Sequence, residues 1–411
     1  MNDLLMAFEV LLAIYKDGAY SNLELNKRVV GASNQAIVTR LVYGVLQKDT
    51  WLEYYLSKSV KKRPSKTIAI LLKLGMYTIT YINSIPKYAV VDSLVTICEK
   101  YGKRQLKGFV NSTLKNFDAS KIALPNDKIE ALSVEASVPF WLVKTYCKQY
   151  GYDKTKDFLS VETFTKEHIR PNSRKTTLSQ LKEKLDLQGI SYEESASGGL
   201  FVDNNSYIKS LNAKGEITYQ SMTSMLAAQA MDVSDGENIL DMCSAPGGKS
   251  VYMSEIANVQ ITACDVHEHR LGLIQDYINR MGSKNIIVRY NDGSVFNEEF
   301  VDEFDKTLCD VPCSGLGVVG KKADIYLTAS FEKCQQLAAL QYEILLNAGR
   351  YTKNRIVYST CTTLREENYN IVGKFVKGNP QWKVVKSEQY LPDGKGQDGF
   401  FIAILEKKLC T

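Results

Sequence analysis

Two cysteines stand where a chain can place a nucleophile. Cys313 lies in Asp310-Val311-Pro312-Cys313-Ser314-Gly315, and Cys361 lies in Tyr358-Ser359-Thr360-Cys361-Thr362. Each string follows an apolar run that reads as a parallel strand. Both thiols therefore fall at carboxyl ends of strands, where ligands collect in open α/β sheets. A thiolate is a strong, soft nucleophile once its pKa is lowered. A lone buried cysteine is usually a small hydrophobe. Cys98, Cys147, Cys264, Cys309, Cys334 and Cys410 are expected to be no more than that. Two thiols facing one crevice beside Asp310 point to covalent chemistry.

The sharpest local signal precedes them. Asn238-Ile239-Leu240-Asp241-Met242 reads as a buried strand, and Cys243-Ser244-Ala245-Pro246-Gly247-Gly248-Lys249-Ser250 as a tight turn opening a helix. Glycines let the backbone approach a ligand, and a helix start offers free N–H groups. The spacing meets neither the dinucleotide fingerprint nor the Walker P-loop. A carboxylate-bearing ligand suits it, and Cys243 would touch that ligand only through its place in the turn. Asp265 and Asp292 follow the next two strands. Singly each reads as a cap or turn residue. Their shared position at successive strand ends favours ligand binding, with Asp265 placed for ribose hydroxyls.

Composition narrows the chemistry. The chain has 411 residues, with 9 Cys and only 3 His, namely His168, His267 and His269. No CxxC pair occurs, which argues against a zinc ribbon or a dithiol redox site. No metal is expected, and catalysis must rest on Cys, Asp, Lys or a cofactor. No apolar run reaches the ~20 residues that span a bilayer. The apolar stretch 4–15 carries Glu9, follows Asp3 and lacks a basic leader, so no secretory signal is expected and the cytoplasm is the default. The net charge is +5, but residues 1–120 hold 17 Lys+Arg against 9 Asp+Glu, a net of +8, which leaves −3 for the rest. A basic front end suggests an anionic partner such as nucleic acid, and a solvated helical surface explains the same charge.

The elements that must position these residues follow from periodicity. Residues 1–150 read as helical, with stripes at 4–15, 37–46, 68–81, 90–101 and 106–117. Breaks fall at Gly18, Gly31, Pro64, Ser84-Ile85-Pro86 and Gly102. Basic clusters are Lys61-Lys62-Arg63 and Lys103-Arg104 with Lys107. Residues 125–160 read as helical connection. Short strands at 167–170, 190–194, 200–202 and 217–220 surround a helix at 178–187, a small α+β module. Strands at 238–242, 260–266, 286–290, 306–310 and 355–359 alternate with helices at 249–257, 270–281, 331–348 and 366–376. That alternation implies a parallel sheet covered on both faces. Two further strands, 382–387 and 399–405, close the chain.

The strings at 241–250, 310–315 and 358–362 resemble the motifs of the RNA cytosine-5 methyltransferases. The basic front end, with Gly108-Phe109-Val110-Asn111-Ser112-Thr113-Leu114, is similar to the domain related to the antitermination factor NusB. Together they resemble the 16S ribosomal RNA cytosine-5 methyltransferase B (Sun/Fmu-type) family over nearly the whole chain. Ile169-Arg170-Pro171-Asn172 and Asp398-Gly399-Phe400-Phe401 match further landmarks. The resemblance implies a multi-domain chain. An all-α NusB-like RNA-binding bundle would span 1–125 and a helical linker 126–160. A small α+β, RRM-like domain would span 161–220 and a Rossmann-like class I methyltransferase domain 221–411.

The cofactor implied is S-adenosylmethionine, held by Cys243 to Lys249, Asp265, Arg270, Asp292 and Asp310. Its methionine carboxylate would meet the glycine turn, its ribose Asp265 and its adenine end Asp292. The implied nucleophile is Cys361, which adds to carbon 6 of the target cytosine so that carbon 5 becomes enamine-like. Asp310 would hydrogen-bond the ring N3 and amino group. Cys313 is implied in release of the product, as or beside the base. The partner implied is 16S small-subunit ribosomal RNA, with the target cytosine flipped out and the protein a monomer.

Departures from the family pattern lie on the substrate side. Ser250 stands where Thr is usual, Ser221 follows Gln220 where Asp is common, and Ala323-Asp324-Ile325 replaces Pro-Asp-Ile after Lys321-Lys322. A transfer RNA substrate is the alternative, and a non-enzymatic RNA-binding assembly factor a more distant one.

Overall fold

The structure is a computed structural model and describes residues 2–408 apart from 30, 31, 33, 163, 322 and 323. The expected break at Gly31, the substituted Lys322-Ala323 and the expected buried Cys410 lie outside the described residues. Two compact units are formed. One holds residues 1–160 with 321–328, and the other 161–320 with 329–411.

The first unit is helical. Helices Asn2–Asp17, Gln35–Gln47, Lys66–Tyr81, Lys87–Lys100 and Lys107–Asn116 correspond to the five stripes. In the first of them the buried face is Leu4, Ala7, Phe8, Val10, Leu11 and Ile14. That face is turned slightly from the expected one, which gave weight to Leu5, Leu12 and Tyr15. Lys66–Tyr81 is buried almost all round and runs through the middle of the core. It buries Lys73, whose ammonium is matched by Asp49 at 2.7 Å and Glu53 at 2.8 Å. Helices Ser21–Arg28 and Asp49–Ser59 are additional. The first of these buries only Ser21 and Leu25, which is too little for a periodic signal. Its start is capped from afar, because the Ser21 N–H donates to Asp324 Oδ2 at 3.1 Å. Residues 128–159 add helices Lys128–Ala136, Phe140–Tyr150 and Tyr152–Leu159.

The second unit contains two sheets. The small one is built from β1 (Glu167–Pro171), β2 (Tyr192–Glu194), β3 (Leu200–Val202) and β4 (Ile217–Tyr219). Their order is β2-β3-β1-β4, all antiparallel. With helices Leu178–Leu187 and Ser206–Ala213 this is the split βαβ arrangement of an RRM. The helices cover a face made by Ile169, Leu200, Val202 and Ile217. The opposite face presents His168, Arg170 and Phe201, and it is buried too. Arg170 donates to Gln220 Oε1 and Glu255 Oε2, both at 2.7 Å, and stacks 4.5 Å from the Tyr252 ring.

The large sheet holds seven strands. They are β5 (Asn238–Asp241), β6 (Gln260–Asp265), β7 (Ile286–Tyr290), β8 (Phe304–Asp310), β9 (Thr352–Thr360), β10 (Trp382–Tyr390) and β11 (Phe400–Lys407). Their order is β10-β11-β9-β8-β5-β6-β7. The five strands from β9 to β7 are parallel, and β11 and β10 add antiparallel at one edge. Helices Gly248–Ile256 and Glu268–Met281 bury one face, and Phe331–Tyr351 and Tyr369–Gly378 the other. The chain leaves β5 toward β7 and returns to β8 on the far side of β5. That reversal opens a crevice at the carboxyl ends of β5 and β8.

Arg170 and Glu255 have side chains only 1% and 2% exposed. Removing one partner of such a pair leaves a buried charge, so Arg170→Leu should cost about 3–5 kcal/mol, and Arg170→Leu with Glu255→Leu should recover much of it. Urea unfolding followed by circular dichroism measures both. A single-variant loss below ~1 kcal/mol, the range of exposed pairs, would refute the assignment.

Candidate active site

Every residue singled out for chemistry in the large sheet lies at or just beyond a carboxyl strand end. The glycine turn follows β5, Asp265 ends β6, Asp292 follows β7, Cys313 follows β8 and Cys361 follows β9.

The turn is fixed by its backbone. The Ser244 N–H donates to Cys264 O and the Gly247 N–H to Ser244 O, both at 2.7 Å. Gly247 has φ +103°, and a Cβ there would be strained and 3.3 Å from Ile274. Gly247 caps the Gly248–Ile256 helix without a side-chain acceptor, which leaves the first N–H groups for an anion. Asp241 is buried behind the turn and accepts from Ser250 Oγ at 2.5 Å. Burial pushes its pKa up to about 6 against the pull of Ser250 and Lys249. Ser250, unusual in type, thus keeps a hydroxyl on Asp241 and shares one with Ser244 at 2.9 Å.

A cleft of about 160 Å³ opens on the turn, and Tyr219, Gln220, Ser221, Ser224 and Tyr277 line it together with turn residues. Tyr277 was invisible as a site residue in the sequence, where it reads as one more residue of an amphipathic helix. Gln220 holds Arg170 as well, so the small sheet and the turn share a residue.

Lys249 does not point at open space. Its Nζ lies 2.5 Å from Asp310 Oδ2, while Ser359 Oγ donates to Asp310 Oδ1 at 2.7 Å. Burial pulls the Lys249 pKa down, but Asp310 outweighs it and leaves it raised. The Cys361 thiol is close enough to push in the same direction. Cys313 Sγ and Cys361 Sγ are 3.2 Å apart, and neither is in a disulfide. Hydrogen bonding to Cys361 and burial drive the Cys313 pKa well above its usual value, and the Glu367 carboxylate adds to this.

The remaining expected residues are less engaged. Asp265 is buried and Oδ1 accepts from the His267 N–H at 2.9 Å. Asp292 Oδ1 accepts from Ser294 N and Oγ, at 2.9 and 2.7 Å, an Asx turn. Arg270 is exposed in the first turn of its helix. Cys98, Cys264, Cys309 and Cys334 are buried as expected, but Cys147 is only half-buried, at the side of a surface helix. Burial drives Cys264 and Cys334 up to about 12, far from reactive values.

The expected helix at 366–376 begins later, at Tyr369. Residues 365–368 form a turn because their side chains serve the cysteine loop instead. Asn368 accepts from Thr360 Oγ1 at 2.6 Å and donates to Thr362 O at 3.0 Å, and the Glu367 carboxylate is buried below.

This strand order, with a glycine turn on β5 and carboxylates at the next strand ends, is that of the S-adenosylmethionine-dependent methyltransferases. Residues 228–406 match the family model described as 16S rRNA methyltransferase RsmB/F, and residues 1–119 match the NusB family. A probable ribosomal RNA small subunit methyltransferase B of Bacillus subtilis is 31% identical over 98% of each chain. Ribosomal RNA small subunit methyltransferase B of Salmonella agona is 28% identical over 92% of each. The solved structure of PH0851 has the same fold, with TM-score 0.81, 22% identity and coverage of 98% of this chain and 99% of that one. The chain belongs to the 16S rRNA methyltransferase RsmB/F family. It is an S-adenosylmethionine-dependent RNA methyltransferase, and among the described residues no helix is long and apolar enough to cross a membrane.

Backbone contact also fixes Cys361. The Gly317 N–H donates to Cys361 O at 2.9 Å, and the Gly399 N–H donates to Gly317 O at 2.8 Å. A Cβ on Gly317 would lie 1.9 Å from Gly399 O, so one backbone must move. Gly317→Ala should move the Cys361 loop and lower kcat for methyl transfer at least ~10-fold, the scale of loss that a shift of about 1 Å within an active site produces. Unchanged kcat in a folded variant would show that the glycine contact does not position the thiol.

Proposed function

We propose that the protein methylates carbon 5 of a cytosine in 16S ribosomal RNA through a covalent Cys361–cytosine adduct that Cys313 helps to resolve. The observation that carries this reading is the pair of thiols 3.2 Å apart on adjacent strand ends, beside the Lys249–Asp310 pair. The two sulfurs are electrically unequal. The Lys249 charge interacts with Cys361, whereas the hydrogen bond to Cys361 and burial, with Glu367 adding to them, hold Cys313 protonated. Cys361 is thus the better nucleophile.

The residues at the turn suit S-adenosylmethionine. The N–H groups at Gly248 and beyond, together with the turn 243–249, match its carboxylate, Asp265 its ribose and Asp292 its adenine, with Arg270 nearby on the helix surface. When bound, the cofactor supplies an electrophilic methyl group on a sulfonium sulfur. The Cys361 thiolate forms a bond to carbon 6, and the ring π electrons move to make carbon 5 nucleophilic. Asp310 accepts from the cytosine amino group and, with a proton drawn from the Lys249 ammonium paired to it, hydrogen-bonds N3 and neutralises charge on the adduct. After methylation the carbon 5 proton passes to solvent water, the C–H electron pair re-forms the 5,6 double bond, and the carbon–sulfur bond breaks with its electron pair returning to Cys361. Cys313, in contact with that sulfur, is placed to assist the departure. The target base must leave its stack to reach the thiol.

The front end supplies RNA affinity in this reading. A cleft in the helical unit is lined by Lys58, Lys61, Lys62 and Lys121 with Phe109 and Asn116. Lys121 pairs with Asp118 at 3.3 Å, and three residues of the basic clusters are also in surface ion pairs. Arg63 pairs with Glu53 at 2.7 Å, and Glu99 draws Arg104 to 3.1 Å and Lys107 to 2.7 Å.

Two experiments test the proposal. Cys361→Ala should abolish transfer to 16S RNA, and Cys313→Ala should accumulate a denaturation-resistant protein–RNA adduct. An active Cys361→Ala would overturn the role assignment, and methylation confined to transfer RNA would overturn the substrate. Separately, Lys61→Ala with Lys62→Ala should reduce the salt slope of RNA binding by about 1 for each phosphate that a lysine had neutralised. An unchanged slope would return these lysines to a solvated face.

A further inference from the structure

One carboxylate inside the protein touches both cysteine loops. Glu367 is fully buried. Its Oε2 accepts from the Ser314 N–H and from Gln341 Nε2, both at 2.9 Å. Its Oε1 accepts from Ser314 Oγ at 2.5 Å and from Thr362 Oγ1 at 3.3 Å. Ser314 directly follows Cys313, and Thr362 directly follows Cys361. The two hydroxyls also meet each other at 2.8 Å. Gln341 reaches the other side of Cys313 too, donating to Pro312 O at 2.9 Å. The backbone of Glu367 is held in turn, since the Tyr358 hydroxyl donates to its carbonyl at 2.6 Å.

So dense a set of donors does two things. It ties the loops after β8 and β9 to one point, which fixes the sulfur separation. Burial raises the Glu367 pKa above the usual carboxylate value and the donors pull against that rise, so that as a carboxylate it bears on the Cys313 side of the sulfur pair. The groups facing Cys313 are Cys361, Glu367, the Tyr358 phenol and the Gly315 N–H. Of these Glu367 is the one carboxylic acid. The Lys249 cation, itself held by Asp310, interacts electrostatically with Cys361. Glu367 thus bears on Cys313 and Lys249 on Cys361, and both effects favour ionisation at Cys361.

We propose that Glu367 is a positioning residue that locks the two cysteine loops together and keeps Cys313 protonated, so that Cys361 alone ionises. The proposal rests on Cys361 being the nucleophile, and its test is separate from that assignment. In a Cys361→Ala background, alkylation of Cys313 by iodoacetamide is followed against pH by peptide mass spectrometry. Adding Glu367→Gln should lower the midpoint by about one pH unit, as expected for removal of a nearby buried anion. Adding Ser314→Ala removes a donor but leaves the carboxylate, so the midpoint should stay at or above that of the background.

General loosening of the loops would move both variants in the same direction. An unmoved midpoint in a folded Glu367→Gln protein, or a shared direction in the two variants, overturns the proposal. Should Glu367→Gln not fold, Ser314→Ala decides alone, and a lowered midpoint there refutes the claim. Methyl transfer by Cys361→Ala itself would instead refute the nucleophile and leave the midpoint comparison standing.

Discussion

The site depends on one register. β8 and β9 pair in parallel with Asp310 opposite Ser359, and the Ser359 hydroxyl donates across that pair to the Asp310 carboxylate. Beyond this point each strand gives way to a short loop, and each loop brings a cysteine to the same place. A slip of one residue would turn Asp310 and Ser359 to the other face of the sheet. It would also part Asp310 from Lys249, which arrives from the turn after β5. The apolar cores on both faces oppose such a slip. They hold Leu308 on one side and Cys309 and Tyr358 on the other, in alternation along the strands. Hydrophobic burial thus sets a polar geometry that the polar groups could not enforce alone.

Within that frame Glu367 bonds the residues that follow both cysteines, Cys313 meets Cys361, and Lys249 pairs with Asp310. Charge interactions are stronger in a partly desolvated site than in water, so the spacing of these groups bears on which of them ionises. The scarcity of histidine fits this design. Cys361 needs no neighbouring imidazole to stabilise its thiolate if Lys249 supplies the positive charge and Asp310 keeps Lys249 in place.

The glycine turn and both cysteines were legible because they follow apolar strands and break local patterns. The alternation of strand and helix gave the sheet for the same reason. Glu367 was hidden, because in sequence it is one acidic residue at the start of an amphipathic stretch. Only the fold shows that its side chain turns inward to Ser314, far away along the chain. Gly399 was noticed only as part of a family landmark. Its physical role is the close approach to Gly317, a contact between distant loops that no local period records. The helix Ser21–Arg28 gave no stripe because it buries only Ser21 and Leu25, and the cap at its start comes from Asp324, again a distant residue. What escaped the sequence reading was therefore long-range and polar.

The small sheet shows how topology and use can separate. RRMs stack bases on the open face of this sheet. Here that face carries His168, Arg170 and Phe201, all buried, and the chain's own residues fill it. The His168 ring bonds Gln220 O and Ser195 Oγ, both at 2.6 Å, and Phe201 packs on Phe164 with centroids 5.0 Å apart. No base can stack there without unseating these contacts. The module acts instead as a support, because Arg170 grips Gln220 on one side and Glu255, on the helix that opens at the glycine turn, on the other. A sheet with the topology of a nucleic-acid recognition module thus steadies the glycine turn, and its face is closed by the chain's own side chains.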